Sequence, residues 1–196
     1  MSIKTKTAFL TAFISLSSIT AAHADFYVGG GIGISRFGAF DPAPAAGVDI
    51  DKKDANYKLY MGANFNKHFG MELGAQRFGT LKGAGTVGTS AYSGEAKLQA
   101  LTIQVVGRVA VTDKIKLFAK GGGAGVSMDV KATLGNTTST WEHEGFVPMI
   151  GVGAEYIVHD QIAVRAEYER VFQAGKKGTF GESDVDAFTI GTNYTF

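Results

Sequence analysis

Eight charged residues stand out within stretches where apolar and polar residues alternate, as candidates for one enclosed network. Four are acids, Glu72, Glu155, Glu167 and Glu169, and four are bases, Arg108, Lys116, Lys120 and Arg165. All eight occupy the polar phase of their alternation. If each stretch is a strand, that phase turns them all to one face of a sheet. Enclosed charges are costly unless paired and hydrogen-bonded, so the pattern predicts a structural salt-bridge network. A narrow conduction path lined by the same residues is the competing reading. Other chemistry is less well supported. Asp49, Asp51 and Asp54 could offer oxygens to calcium, but the spacing and glycine of an EF-hand are missing, so a solvated acidic stretch is expected. Gly29-Gly30-Gly31 and Gly121-Gly122-Gly123 have the composition of phosphate loops, yet no helix pattern follows either one. Relief of crowding at inward positions, or of strand curvature, explains them better. His68 and His159 fall in short turns, His143 in a long connection and His23 near the N-terminus; none sits in a strand beside a serine. No catalytic residue, metal or cofactor is expected. Without cysteine, the chain has neither disulfides nor thiolate metal ligands.

The elements that would position these charges have period 2. In NYKLYMGANF, Tyr57, Leu59, Met61, Ala63 and Phe65 alternate with Lys58, Tyr60, Gly62 and Asn64. Asn66-Lys67-His68 then turns the chain into FGMELGAQRF, where Phe69, Met71, Leu73 and Ala75 alternate with Gly70, Glu72, Gly74 and Gln76. The same phase change recurs downstream. Eight strands are predicted near residues 25–35, 56–65, 69–79, 97–110, 115–127, 146–158, 161–172 and 185–196. Short turns at 66–68, 111–114 and 159–160 alternate with long polar connections at 36–55, 80–96, 128–145 and 173–184. Within the long ones, Tyr92, Trp141 and Phe180 are candidate contact residues.

The N-terminus reads separately. Lys4 and Lys6 precede an apolar run from Ala8 to Ile19, and Ala22-His23-Ala24 provides small residues where a signal peptidase reads. Residues 1–24 are therefore expected to be a cleaved secretory signal peptide, and 25–196 a single β-barrel domain. Cleavage takes the 19 basic residues to 17, against 18 acidic ones. That balance gives no reason to expect nucleic acid as a partner.

No later run is long and apolar enough for a membrane helix. If the chain spans a membrane, a closed barrel is the remaining solution, because lipid cannot satisfy open backbone groups. The alternation decides between a membrane barrel and a soluble one. A soluble barrel keeps its apolar face inside. Here the face opposite the aliphatic residues carries Glu, Arg, Lys, Gln and Gly, and aromatics gather toward the ends of the aliphatic face: Phe65, Phe69, Tyr156, Tyr168, Phe172 and Tyr194. Aliphatic residues outside, aromatic girdles and alternating short and long connections are the signature of an all-β, eight-stranded antiparallel up-and-down barrel in the outer membrane of a Gram-negative bacterium. Its expected surroundings are outer-membrane lipid and lipopolysaccharide. The terminal Phe196 fits the C-terminal signal read by the barrel assembly machinery, and the long connections are candidate contacts for a host-surface ligand.

The stretches YKLYMGANFNKHFGMELGAQRFG (57–79), RVAVTDKIKLFAKGGG (108–123) and GVGAEYIVHDQIAVRAEYERV (151–171) resemble the OmpA-type transmembrane domain. They are also similar to the wider group of small outer-membrane barrels that includes OmpX and opacity-type proteins. The resemblance implies a barrel whose interior holds a charged network rather than an open water column. By position, Glu72 matches the acid of the third strand, Arg165 its arginine partner in the seventh, Glu155 the acid of the sixth, Glu167 a second acid of the seventh, and Lys120 a base of the fifth. The family's basic partner for Glu155, in the fourth strand, falls on Val106, and Arg108 faces the same way two residues on. Some relatives carry a periplasmic peptidoglycan-binding domain, which is not expected in a sequence ending at Phe196. The function expected is structural and surface-interacting, in adhesion or envelope integrity. The alternative is a narrow porin-like channel for ions or small solutes.

Overall fold

A computed structural model describes residues 25–38, 48–87, 90–176 and 181–196. The predicted signal peptide and Phe180 lie outside them. The described residues form one antiparallel sheet with nine strand segments: β1 (Asp25–Phe37), β2 (Val48–Asp51), β3 (Lys53–Asn64), β4 (Phe69–Val87), β5 (Ser90–Ala110), β6 (Ile115–Leu134), β7 (Thr137–His159), β8 (Ile162–Lys176) and β9 (Gly181–Thr195). From β3 onward neighbours in sequence pair with one another, β1 pairs with β3 and β9, and the β4–β5 pairing completes the ring. β2 and β3 form one stave interrupted at Lys52, since both pair with β4. The result is a closed eight-stranded barrel, in which the membrane part has no free sheet edge.

The stave count, the alternation and the three short turns agree with the sequence reading; the long connections do not. Residues 80–96 and 128–145, read as long polar loops, are largely strand. β4 and β5 stay in register out to Val87↔Ser90, and β6 and β7 out to Leu134↔Thr137. Tyr92, Trp141 and His143 therefore sit in strands, and so does Asp54. Glycine, serine and threonine in these stretches imitate turn composition, but backbone pairing does not need large side chains when the neighbouring strand already holds the register.

The direction of each face is unambiguous. Val152 is 55% exposed and Ile190 53%, whereas Glu72 and Arg165 are 0% and 1% exposed. The aliphatic phase faces outward and the charged phase is enclosed. Aromatic residues stand at both ends of the apolar band, with Phe65, Phe69, Tyr156 and Tyr194 near the short turns and Tyr57, Tyr168 and Phe188 toward the other end. Several inward glycines make room for rings. A Cβ on Gly29 would lie 2.5 Å from the Tyr60 hydroxyl, and one on Gly62 would lie 2.6 Å from Tyr27 Cε1. Neither glycine cluster leads into a helix, so the crowding reading fits the backbone that is present.

Candidate functional site

The interior is the place where this fold concentrates chemistry. Eight strands leave a lumen only wide enough for side chains to fill. Inward positions on β3, β4, β6 and β8 converge at mid-height. Arg165 Nη1 lies 2.8 Å from Glu72 Oε2, and Arg165 Nη2 lies 3.1 Å from Glu167 Oε2. The Lys120 ammonium reaches Glu72 at 3.1 Å, Glu167 at 2.8 Å and Glu169 at 2.6 Å. Lys58 reaches Glu167 at 2.8 Å, Glu169 at 2.6 Å and Glu72 at 3.6 Å. Three cations thus face three carboxylates, all of them buried. Rings cover the cluster: the Arg165 guanidinium lies 4.2 Å from the Phe118 centroid and 4.6 Å from that of Tyr60. Balanced pairing is what makes such burial tolerable, because removing one partner would leave an uncompensated charge in a low-dielectric site.

A second, looser layer lies toward the short turns. Arg108 donates to Asn64 Oδ1 and to the Tyr27 hydroxyl, both at 2.7 Å. Its Nε stands 3.8 Å from Glu155, and Arg165 also stands 3.8 Å from that carboxylate. Asn193 donates to Glu155 at 3.4 Å. The Tyr27 hydroxyl, which donates to Glu72 at 3.3 Å, ties this layer to the central cluster. A cavity of about 210 Å³ opens beside it, lined among others by Arg108, Lys116, Glu155 and Asn193. It marks the mouth at the end of the barrel that carries the short turns.

Beyond the central cluster, the opposite half of the lumen is apolar. Phe37, Phe78, Leu98, Val126, Met128, Met149, Val171 and Val185 pack there in one buried group. The layer departs from the expectation of an inward phase that is polar along the whole strand. The signal was available in the inward residues Leu98, Val126, Met128 and Met149, which share parity with the charges.

Of the residues singled out from sequence, Glu72, Lys120, Arg165 and Glu167 meet in the central cluster, and Arg108 and Glu155 form the layer beside it. Lys116 lines the cavity and joins none of the ion pairs found among the described residues. Lys58 belongs to the cluster although the sequence reading did not count it there. It sits on the polar phase of its strand, but the residue opposite it in register on β4 is the uncharged Gln76; its partners are Glu167 and Glu169 across the lumen on β8, with Glu72 of β4 further off. Val106 is fully buried opposite Lys120 in register. Among the described residues, Asp54 belongs to no group of three or more His, Cys, Asp or Glu side chains close enough to share a metal ion. Its carboxylate accepts from the backbone N–H of Thr80 at 2.6 Å and of Ala55 at 2.8 Å. These bonds hold its carboxyl below the usual range.

Comparison with known proteins gives a consistent picture. A family model described as the OmpA-like transmembrane domain matches residues 21–196. Outer membrane protein A of Serratia marcescens is 26% identical over 196 residues, covering 95% of this chain and 54% of that protein. Outer membrane protein A of Klebsiella pneumoniae is 29% identical over 138 residues, covering 69% of this chain and 39% of that protein. The chain spans about half the length of the curated relatives it matches. Among solved structures, the outer membrane protein OprG from Pseudomonas aeruginosa superposes with a TM-score of 0.61 at 14% identity, covering 88% of this chain and 96% of that one. The attachment invasion locus protein Ail of Yersinia pestis gives 0.57 at 15% identity, covering 89% and 99%. At these identities the structures speak to the barrel alone.

Proposed function

The chain belongs to the OmpA-like transmembrane domain family of Gram-negative outer membranes, and from that premise we propose that it is a closed structural anchor, not a diffusion pore, whose outer strands carry a surface-interaction role. One observation carries this reading. The lumen is occupied twice over, by a balanced cluster around Lys58, Glu72, Lys120 and Arg165 and by the apolar layer of Phe78, Leu98, Met149 and Val185 beyond it. An ion crossing this interior would have to break buried pairs and then enter a hydrocarbon-like layer. Recording in planar bilayers tests the reading. Purified protein should give no stable openings; large and long-lived conductance steps would overturn it in favour of the porin-like alternative. That alternative draws support from the cavity at the short-turn mouth and the loosely held Glu155.

The surface role is assigned to the two hairpins that rise past the membrane band, β4–β5 and β6–β7, which take the place of the expected loops. Cell adhesion and serum survival should fall when residues 82–95 are shortened, and equal performance of the shortened chain would remove the role. On the same reading the protein is not an enzyme, residues 1–24 are a cleaved leader, and Phe196 at the end of β9 presents the recognition signal to the assembly machinery. Modification of lipid A by the purified protein would contradict the first of these. N-terminal sequencing of the protein from outer membranes tests the second. Slower assembly of Phe196→Ala tests the third.

A further inference from the structure

We propose that Arg170, Arg36 and Lys53 form a binding site on the outer wall for the phosphorylated headgroup of lipopolysaccharide; the proposal rests on the outer-membrane placement above. The register brings them together. Lys53 on β3 lies opposite Arg36 on β1, Arg36 lies opposite Asp186 on β9, and Asp186 lies opposite Arg170 on β8. Each turns away from the lumen: Arg36 stands between buried Ser35 and Phe37, Asp186 between buried Val185 and Ala187, and Arg170 between buried Glu169 and Val171. Arg36 and Lys53 are exposed.

Their height is set by the residues just below on the same face. Ile34, Phe188 and Tyr168 belong to the apolar band, and the charged row begins two residues beyond them. Followed onto β7, the row passes from Arg170 to Ile150, back inside the band. Strands of small barrels tilt by about 35–45°, so the row climbs from Ile150 through Arg170 and Arg36 to Lys53. Three strand spacings separate Arg170 from Lys53, roughly 14 Å along the wall. A rising line of cations of that length suits an extended headgroup bearing more than one phosphate better than it suits a single ion.

Asp186 organises the lower end. Arg170 donates to it through Nε at 2.6 Å and Nη2 at 2.9 Å, and the Tyr168 hydroxyl donates at 2.5 Å. That orients the guanidinium at the interface, where a planar fork matches phosphate geometry. Three cations against Asp186, with Asp184 two residues along the same face, leave the row positive by one, and basic clusters at a membrane surface attract anionic headgroups. The other side of the wall is different. There Lys97 faces Asp129, Glu95 faces Lys131, and Asp129 faces Glu142. Opposite charges face one another on β5 and β6, so those strands offer less uncompensated positive charge than the row on β1, β3, β8 and β9.

The test uses the full barrel refolded in phospholipid nanodiscs and titrated with deep-rough lipopolysaccharide, with bound glycolipid read by native mass spectrometry. Arg36→Gln with Lys53→Gln should weaken binding about tenfold or more, as should Arg170→Gln alone, on the scale of lost charge-assisted bonds. Lys97→Gln with Lys131→Gln should leave binding unchanged. The same glycolipid stripped of its phosphates should bind no better to the wild type than to the variants. Unchanged affinity in both test variants overturns the proposal, and so does an equal loss in the control pair. Displacement of the glycolipid by millimolar inorganic phosphate would show a site for free phosphate, which also overturns it. Heat-modifiable migration on gels verifies the barrel in every variant. Its absence in the wild type would count against the membrane reading itself, a separate failure from lost lipid selectivity.

Discussion

The Glu72 carboxylate accepts from Arg165 at 2.8 Å and from Lys120 at 3.1 Å, and Lys58 lies 3.6 Å away. Glu155 meets its basic neighbours only at 3.8 Å. The two acids should therefore respond unequally to neutralisation. Glu72→Gln leaves three buried cations short of one partner and should cost about 3–5 kcal/mol. Glu155→Gln should cost about 1 kcal/mol. Urea unfolding followed by gel migration in detergent measures both, and similar losses would contradict the ranking. Asp54 provides a pH-dependent counterpart outside the membrane band. Its folded carboxyl is depressed by the Thr80 and Ala55 amides. The stabilisation it supplies is thus fully present above the unfolded carboxylate value and is lost as pH falls through the depressed one. Protection of the Thr80 amide, the intrinsic exchange rate at that pH divided by the observed one, should be alike at about pH 7 and about pH 5 in the wild type, and about five- to tenfold lower at both in Asp54→Ala. Lys58 shows why single residues resist sequence reading. Its parity is visible, but its partners Glu167 and Glu169 lie more than a hundred positions away, and only closure of the barrel brings them together.

Where the barrel leaves the membrane band, its second and third staves change together. β2 and β3 are broken at Lys52, and β4 shifts register between Arg77 and Thr80. Gly79 sits at that shift with φ +90°, and a Cβ there would come within 2.6 Å of Asp54 Cβ. The bulge and the Asp54 cap act as one device: the strand bends at the register shift, and the Asp54 carboxylate takes up the Thr80 amide there. Gly79→Ala should cost about 1–2 kcal/mol by urea unfolding, through strain in a left-handed conformation. A neutral result would show that the bulge can be relaxed. Glycine, serine and threonine are frequent in the hairpins and give them the composition of loops. Those residues weaken strand propensity, yet the ladder continues upward from a band whose register is already fixed by burial of one face and lipid exposure of the other.

At the scale of the molecule, two faces of one sheet meet two different solvents. Ile190→Arg, in the middle of the apolar band, should destabilise the inserted barrel by about 2–4 kcal/mol, and the same change at Tyr57, near the band's edge, by about 1 kcal/mol or less. Equal costs at both depths would mean the band is not where the aliphatic residues place it. Period-2 alternation, short turns and aromatic strand ends were enough, read from the chain alone, to establish an eight-stranded outer-membrane barrel with its charges enclosed. Each of these depends only on residues close together in sequence, and lipid forces the strands to close whatever their partners across the lumen. Tertiary structure alone decided the rest: that Lys58 joins Glu72 and Arg165, that the outer half of the lumen is packed with Phe78, Leu98 and Met149, that two apparent loops are strands, and that Arg36, Lys53 and Arg170 line up on one wall. These depend on how far each strand slides past its neighbour as the ring closes. That stagger is the sum of eight pairings, and no local stretch of sequence contains it.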